Sequence, residues 1–306
     1  GAVVALGTWT TPPSIPAVPH SSVSITRSTF AGNSIAPQPC CPPPGDPTGG
    51  AIHVEDQTTL DVKDSFFVDN AAQFGGAIDS YRALVNVSGS TFQGNRGSST
   101  AVTQAVGGAI SALSNDAVDS TTAGGQNPRP AGVTVADSLL QGRHAGSGAV
   151  GNSGGCILAI GDEQHLYGLG GLTPDGTLAT NRAPVSITGS VFHDCDVAPG
   201  ATVGAGAGGA IDGSLVALTL DDSLVLDSDA GQGSGGGLFL SGESDARISR
   251  TTFAGNTADV SGGAIFAAGS NLAISGSRFT ANQVSPGVAE PISLSRGAAL
   301  FTSPLG

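Results

Sequence analysis

Lysine occurs once in this chain, at Lys63, and methionine does not occur. There is one tryptophan and two tyrosines, and charged residues fill only 11% of the 306 positions. Helical proteins draw heavily on Lys, Glu and Met, so this scarcity argues against one. The 48 glycines, about twice the usual share, point the same way, because glycine is costly in helix interiors. No apolar run approaches the roughly 20 residues of a membrane helix, which argues against direct membrane insertion. Basic charge is scarce: 24 Asp and Glu against 11 Lys and Arg leave a net charge of −13. Such a field repels nucleic acid and anionic membrane surfaces. Disorder does not fit 39% hydrophobic residues with so little charge. Collagen does not fit either, since the glycines follow no three-residue period. A loop-rich β protein remains.

What the chain has in abundance is repetition. Gly-Gly-Ala-Ile appears five times unchanged: Gly49-Gly50-Ala51-Ile52, Gly75-Gly76-Ala77-Ile78, Gly107-Gly108-Ala109-Ile110, Gly208-Gly209-Ala210-Ile211 and Gly262-Gly263-Ala264-Ile265. Variants stand at Gly154-Gly155-Cys156-Ile157, Gly235-Gly236-Gly237-Leu238 and Gly297-Ala298-Ala299-Leu300. A second motif alternates with it and reads apolar-x-apolar-x-x-Ser-x-Phe-x-x-Asn. Its full copies end on Phe30 and Asn33, Phe67 and Asn70, Phe92 and Asn95, and Phe279 and Asn282. Looser copies include Ala246 to Asn256, with Phe253 and Asn256 in the same two columns. The serine column runs Ser28, Ser65, Ser90, Ser138, Ser190, Ser223, Thr251 and Ser277.

The shortest spacing between Phe-column residues is roughly 25 to 28 residues, which suits one coil of a parallel β-solenoid with two or three short strands. Longer spacings are the same coil with inserted loops. Alternation such as Val23-x-Ile25 puts every second side chain into a narrow core. Coils stacked about 4.8 Å apart set Phe on Phe and Ile on Ile. The Gly-Gly pair permits a sharp corner with positive φ where two coils approach closely. Asparagine tolerates the left-handed conformation, and its amide can bond to its counterpart one coil away.

Gly-Gly-Ala-Ile alternating with Phe-x-x-Asn resembles the paired tetrapeptide signature of the chlamydial polymorphic membrane proteins, and of related repeats in bacterial and algal surface proteins. The resemblance spans nearly the whole chain. It implies an all-β, single-stranded right-handed parallel β-helix, here of about eight coils with inserted loops. It also implies secretion to the cell surface and adhesion to cells. The expected organisation is one continuous β-helix over 1–306. Gly1-Ala2-Val3-Val4-Ala5-Leu6 aligns with Gly108 to Leu113, so the expectation is a segment of a longer array. The loops at 35–48, 114–132 and 161–184 read either as neutral insertions or as the recognition surface, since loops on a rigid scaffold often carry function.

Residues that could carry chemistry are few. Four cysteines, Cys40, Cys41, Cys156 and Cys195, allow three pairings, and the sequence does not choose among them. Cys156 replaces the Ala of Gly-Gly-Ala-Ile and Cys195 replaces the column Asn; adjacent coils can bring them near, although the columns differ. Gly151-Asn152-Ser153-Gly154-Gly155 has the form G-x-S-x-G, but its glycines already serve the repeat and no strand-to-helix elbow follows. His193-Asp194-Cys195-Asp196 falls on the turn of the motif, where alternation makes the side chains diverge. Asp221, Asp222, Asp227 and Asp229, with Asp61, Asp64 and Asp69, sit at matching coil positions and would suit calcium or a solvated acidic face. Asn86-Val87-Ser88 is a glycosylation sequon with Asn86 facing outward.

A β-helix that degrades polysaccharide needs two carboxylates about 5 to 9.5 Å apart in a groove lined with aromatic and basic residues. Asp79 and Asp212 each follow Gly-Gly-Ala-Ile directly and are the best pair, but the chain is poor in such lining. The reading is therefore a non-catalytic extracellular scaffold or adhesion module without cofactor. Its expected partners are other copies or chains of a surface assembly, or a host-cell or matrix ligand; a carbohydrate-active enzyme is the alternative.

Overall fold

The computed structural model describes residues 3–5, 21–35, 48–55, 58–97, 105–114, 131–142, 151–161, 182–197, 208–285 and 297–303. Every regular element among them is a strand, and all paired strands are parallel. The chain winds as a right-handed parallel β-helix with three long sheets. The first sheet has nine strands and begins each coil at the Gly-Gly corner, as in Ile78–Tyr81. The second has eight strands of five or six residues, such as Val216–Asp221. The third has eight strands of three residues, such as Thr91–Gln93. Eight full coils are followed by one further first-sheet strand, Leu300–Ser303.

Alternation decides which side of each strand is buried. In Val216–Asp221, Val216, Leu218 and Leu220 point inward and are buried, whereas Ala217 and Thr219 are exposed. Register then sets like upon like: Ile78 pairs with Ile110, Ile110 with Ile157, and Ile157 with Ile211. The phenylalanine column stacks as plates. Phe30 and Phe67 lie 5.0 Å apart, Phe67 and Phe92 4.6 Å, and Phe253 and Phe279 5.2 Å between centroids. Burying each ring contributes about 1.5–3 kcal/mol, and each stacked pair about 1 kcal/mol beyond that.

Two polar ladders tie the coils at their turns. Each serine N–H donates to the serine hydroxyl one coil later, at 3.1 to 3.2 Å, from Ser28 through to Ser223. Each hydroxyl in turn donates to the carbonyl two residues earlier, as Ser65 does to Lys63. The asparagines do more. The amide of Asn70 donates to Asn95 Oδ1 at 2.8 Å and to the Phe30 carbonyl at 3.0 Å, while Asn70 Oδ1 accepts the Asn33 N–H. Buried backbone groups that a turn leaves unpaired are thereby satisfied, each worth about 1–3 kcal/mol if orphaned.

The corner needs both glycines, for different reasons. Gly75 has φ +55°, and a Cβ there would lie 2.0 Å from the Ile78 carbonyl oxygen. Gly76 has an ordinary φ, but a Cβ would lie 2.2 Å from the Gly108 oxygen of the next coil and 2.5 Å from Arg96 N. The first glycine makes the bend and the second lets neighbouring coils touch.

Candidate functional site

Asp79 and Asp212, the carboxylates best placed by sequence for hydrolysis, occupy one outward column of the first sheet. Register places Asp79 beside Ser111, Ser111 beside Leu158, and Leu158 beside Asp212. Three strand steps separate the two carboxylates, about 14 Å at 4.8 Å per step. That exceeds the roughly 5–9.5 Å over which two carboxylates share a glycosidic bond. Both are buried, at 2% and 6% exposure. As placed, this pair cannot flank one sugar linkage.

Asp79 instead holds a histidine. His53 stands one strand before it, with Nδ1 2.9 Å from Asp79 Oδ2 and Nε2 2.6 Å from Glu55 Oε1. Burial, the largest single influence, pulls the imidazole pKa down, but the bonds and charges of Asp79 and Glu55 together raise it above the ordinary value. The second oxygen of Asp79 is buried without a hydrogen-bond partner, as is the hydroxyl of Ser111 on the adjoining strand. The arrangement is carboxylate–imidazole–carboxylate, with both ring nitrogens facing a carboxylate oxygen. It lacks the serine-on-histidine contact that activates a nucleophile, because Asp79 lies between His53 and Ser111 in the column.

The remaining sequence candidates separate. Cys156 and Cys195 form a disulfide with Cα atoms 5.3 Å apart. Their columns meet because the turn that ends a coil packs against the Gly-Gly corner that begins it: a Cβ on Gly155 would lie 2.7 Å from both Asp196 N and Cys195 C. Both cysteines are in the core, at 2% and 0% exposure. Cys40 and Cys41 lie outside the described residues, as do most of the three long loops. Ser153 ends a strand, Gly151–Ser153, paired with Ala105–Val106, and no helix follows.

His193 lies between Asp194 and Asp227, at 3.3 and 3.4 Å, while Cys195 turns into the core and Asp196 Oδ1 accepts the Asp229 N–H. Asp61 accepts from the Asn86 amide at 2.9 Å, which places the sequon nitrogen in a cross-strand bond. Asp221 pairs with Arg250 and accepts the Ser249 hydroxyl. Burial, and then the charge of Asp229, push the Asp259 carboxyl above its usual value. Among the described residues, no three His, Cys, Asp or Glu side chains converge as a metal site would require.

Two features have no counterpart in the motif reading. Phe239, Phe266 and Phe301 form a second aromatic ladder on the outward column of the first sheet, with centroids 5.1 and 5.3 Å apart. Its signal was available: each is the residue directly after the first-sheet Ile or Leu. The other is the outward side of the third sheet, where Phe66 and Leu224 are 51% and 40% exposed. Alternation around the Phe column marks both as outward.

Residues 250–268 match the family model of the Chlamydia polymorphic membrane protein repeat. No curated protein and no solved structure gives a significant match. The matched stretch runs from the third-sheet strand Thr252–Ala254, through Asn256 and the Gly262-Gly263 corner, to the first-sheet strand Ile265–Ala268. It therefore holds one copy of each motif in the order in which the whole rod repeats them. Within a right-handed parallel β-helix, residues 250–268 are thus similar to one repeat of the Chlamydia polymorphic membrane proteins, a cell-surface family.

Proposed function

We propose that this chain is a non-catalytic extracellular scaffold that holds adhesive surfaces at fixed spacing along a rod. Its partners are other chains of a surface assembly, or a ligand on a host cell or in matrix. The observation that carries this reading is the dispersal of Asp79 and Asp212 over three strand steps. Each sits among structural neighbours of the sheet, and Asp79 is committed to His53. The surface-protein repeat at 250–268 supports the location and the scaffold role. Such a rod contributes rigidity, because continuous ladders tie each coil to the next.

The test pairs two assays on the purified chain. Immobilised on beads, it should retain cultured cells or matrix more than a β-helix without these repeats does. Incubated with a panel of acidic and neutral polysaccharides, it should release no reducing ends or unsaturated products. Cleavage that disappears in both Asp79→Asn and Asp212→Asn would overturn the scaffold reading in favour of a carbohydrate-active enzyme.

A further inference from the structure

The six inner three-residue strands of the third sheet bury their middle side chain, and Phe30 and Phe279 at the two ends are half-buried, so the first and third residues face outward. Along five consecutive strands the first-position column reads Phe66, Thr91, Leu139, Val191 and Leu224 in unbroken register. The third-position column beside it begins with Val68 and ends with Leu226, with Gln93, Gln141 and His193 between. No Asp, Glu, Lys or Arg stands on this face of those five strands, in a chain whose net charge is −13. Phe66 and Leu224 are two of the three large hydrophobic side chains exposed among the described residues.

The charge is displaced to the two margins. The turns before three of the five strands carry Asp64, Asp137 and Asp222, with Gly89 and Gly189 at the other two; the turns after three of them carry Asp69, Asp194 and Asp227, with Gly94 and Gly142 at the others. All six have positive φ, between 46° and 54°, so the acidic rims are fixed by the backbone of the turns that bound the sheet. The result is a largely apolar floor without Asp, Glu, Lys or Arg, flanked by two margins that each carry three aspartates, two of which, Asp194 and Asp227, contact His193. Apolar patches rimmed by polar groups mark interaction sites.

The dimensions narrow the partner. Five strands span about 19 Å along the rod, and three residues span about 10 Å across it. An α-helix is about 10 Å wide and covers 19 Å in roughly 13 residues. A helix with one apolar stripe matches the floor, and basic side chains beside that stripe match the walls. A second copy of this chain would bring acidic rims against acidic rims, and an anionic bilayer would meet the same repulsion.

We propose that the outward face of the third sheet, from Phe66 to Leu224, is the docking surface for a cationic amphipathic helix of a partner protein. This deepens the scaffold reading and rests on it, in that a lateral face of the rod makes the contact.

The probe is a labelled peptide of about 18 residues, with a leucine stripe flanked by lysines, titrated onto the whole chain by fluorescence anisotropy. Binding should weaken by about tenfold or more in Phe66→Thr/Leu224→Thr, which removes the two most exposed apolar anchors. Threonine already stands at this position in Thr29, Thr91 and Thr252, so the variant keeps the fold. Added salt should weaken binding, less steeply in Asp137→Asn/Asp222→Asn. Equal affinity for the Phe66→Thr/Leu224→Thr variant would mean general attraction to an acidic protein and would overturn the proposal. So would Phe66- and Leu224-dependent self-association in sedimentation, or Phe66- and Leu224-dependent binding to phosphatidylcholine vesicles, with no binding of the peptide. Polysaccharide cleavage would remove the scaffold reading and leave this binding result standing, so the two fail separately.

Discussion

Cys156 and Cys195 join the Ala position of one repeat motif to the Asn position of the other across the inside of a single coil. The asparagine ladder is missing where they stand. Asn70, Asn95, Asn256 and Asn282 each donate to a Phe-column carbonyl of the preceding coil, whereas Cys195 has no amide to offer. A covalent link occupies the place of a hydrogen-bonded rung, in the coil that also accommodates the 161–184 insertion.

Replacing both cysteines by alanine should therefore destabilise the rod. For a sequence separation of 39, the chain-entropy model gives about 4 kcal/mol. Cys156→Ala/Cys195→Asn restores both motifs and should regain about 1 kcal/mol of that loss, through one buried amide bond to the Leu140 carbonyl. Urea unfolding of the three proteins with and without reductant checks this. Reductant should shift the midpoint of the parent chain and of neither variant. A parent indifferent to reductant would remove the disulfide's role.

The corner glycines give a prediction with its own control. Gly76→Ala forces a Cβ to 2.2 Å from the Gly108 oxygen, whereas Gly32, with φ +64°, has nothing within 4 Å of a built Cβ. Gly32→Ala should cost only the left-handed strain, about 1–2 kcal/mol. Gly76→Ala should cost clearly more, because coil must part from coil. Denaturation midpoints of the two variants decide it; a Gly76→Ala loss no larger than that of Gly32→Ala would mean the stack yields at the corner.

His53 gives a pH dependence whose sign is fixed. Its folded pKa lies above the unfolded value of about 6.5, owing to Asp79 and Glu55. The pairing therefore contributes its full stability below about pH 6.5 and loses it as pH rises through the folded pKa. Melting temperature against pH should show this decline in the parent chain. His53→Gln should flatten it while lowering stability at pH 5, because Asp79 is left buried without its cation. A decline that persists in His53→Gln would assign it to another group.

Much of the rod was legible before any coordinates. The Phe, Ser, Asn and Gly-Gly columns were each visible as columns, because a solenoid writes its three-dimensional neighbours into the sequence at a nearly fixed interval. What each column does was only partly visible. The serine ladder runs from the backbone N–H of one coil to the hydroxyl of the next, and a sequence pattern does not show which backbone groups a turn leaves unpaired. The glycines read as one unit, yet Gly75 answers to φ and Gly76 to a neighbouring coil.

The candidate sites were less legible, since each depends on distance across the stack. Asp79 and Asp212 hold the same motif position, which made them look like a pair, and counting strand steps sets them about 14 Å apart. Cys156 and Cys195 stand in different columns, which left their pairing open, and closure of a single coil brings their Cα atoms to 5.3 Å.

The amino-acid sequence alone establishes that this chain is poor in lysine, tryptophan and tyrosine, with one lysine and three Trp and Tyr residues together, and that many of its glycines belong to a repeat. It also determined the period, and with it the coil. Which outward residues share a face follows from the folded stack. The strand period of two assigns Phe66 and Leu224 outward, but it is the in-register stacking of coils far apart in sequence that assembles them into one apolar floor between aspartate rims.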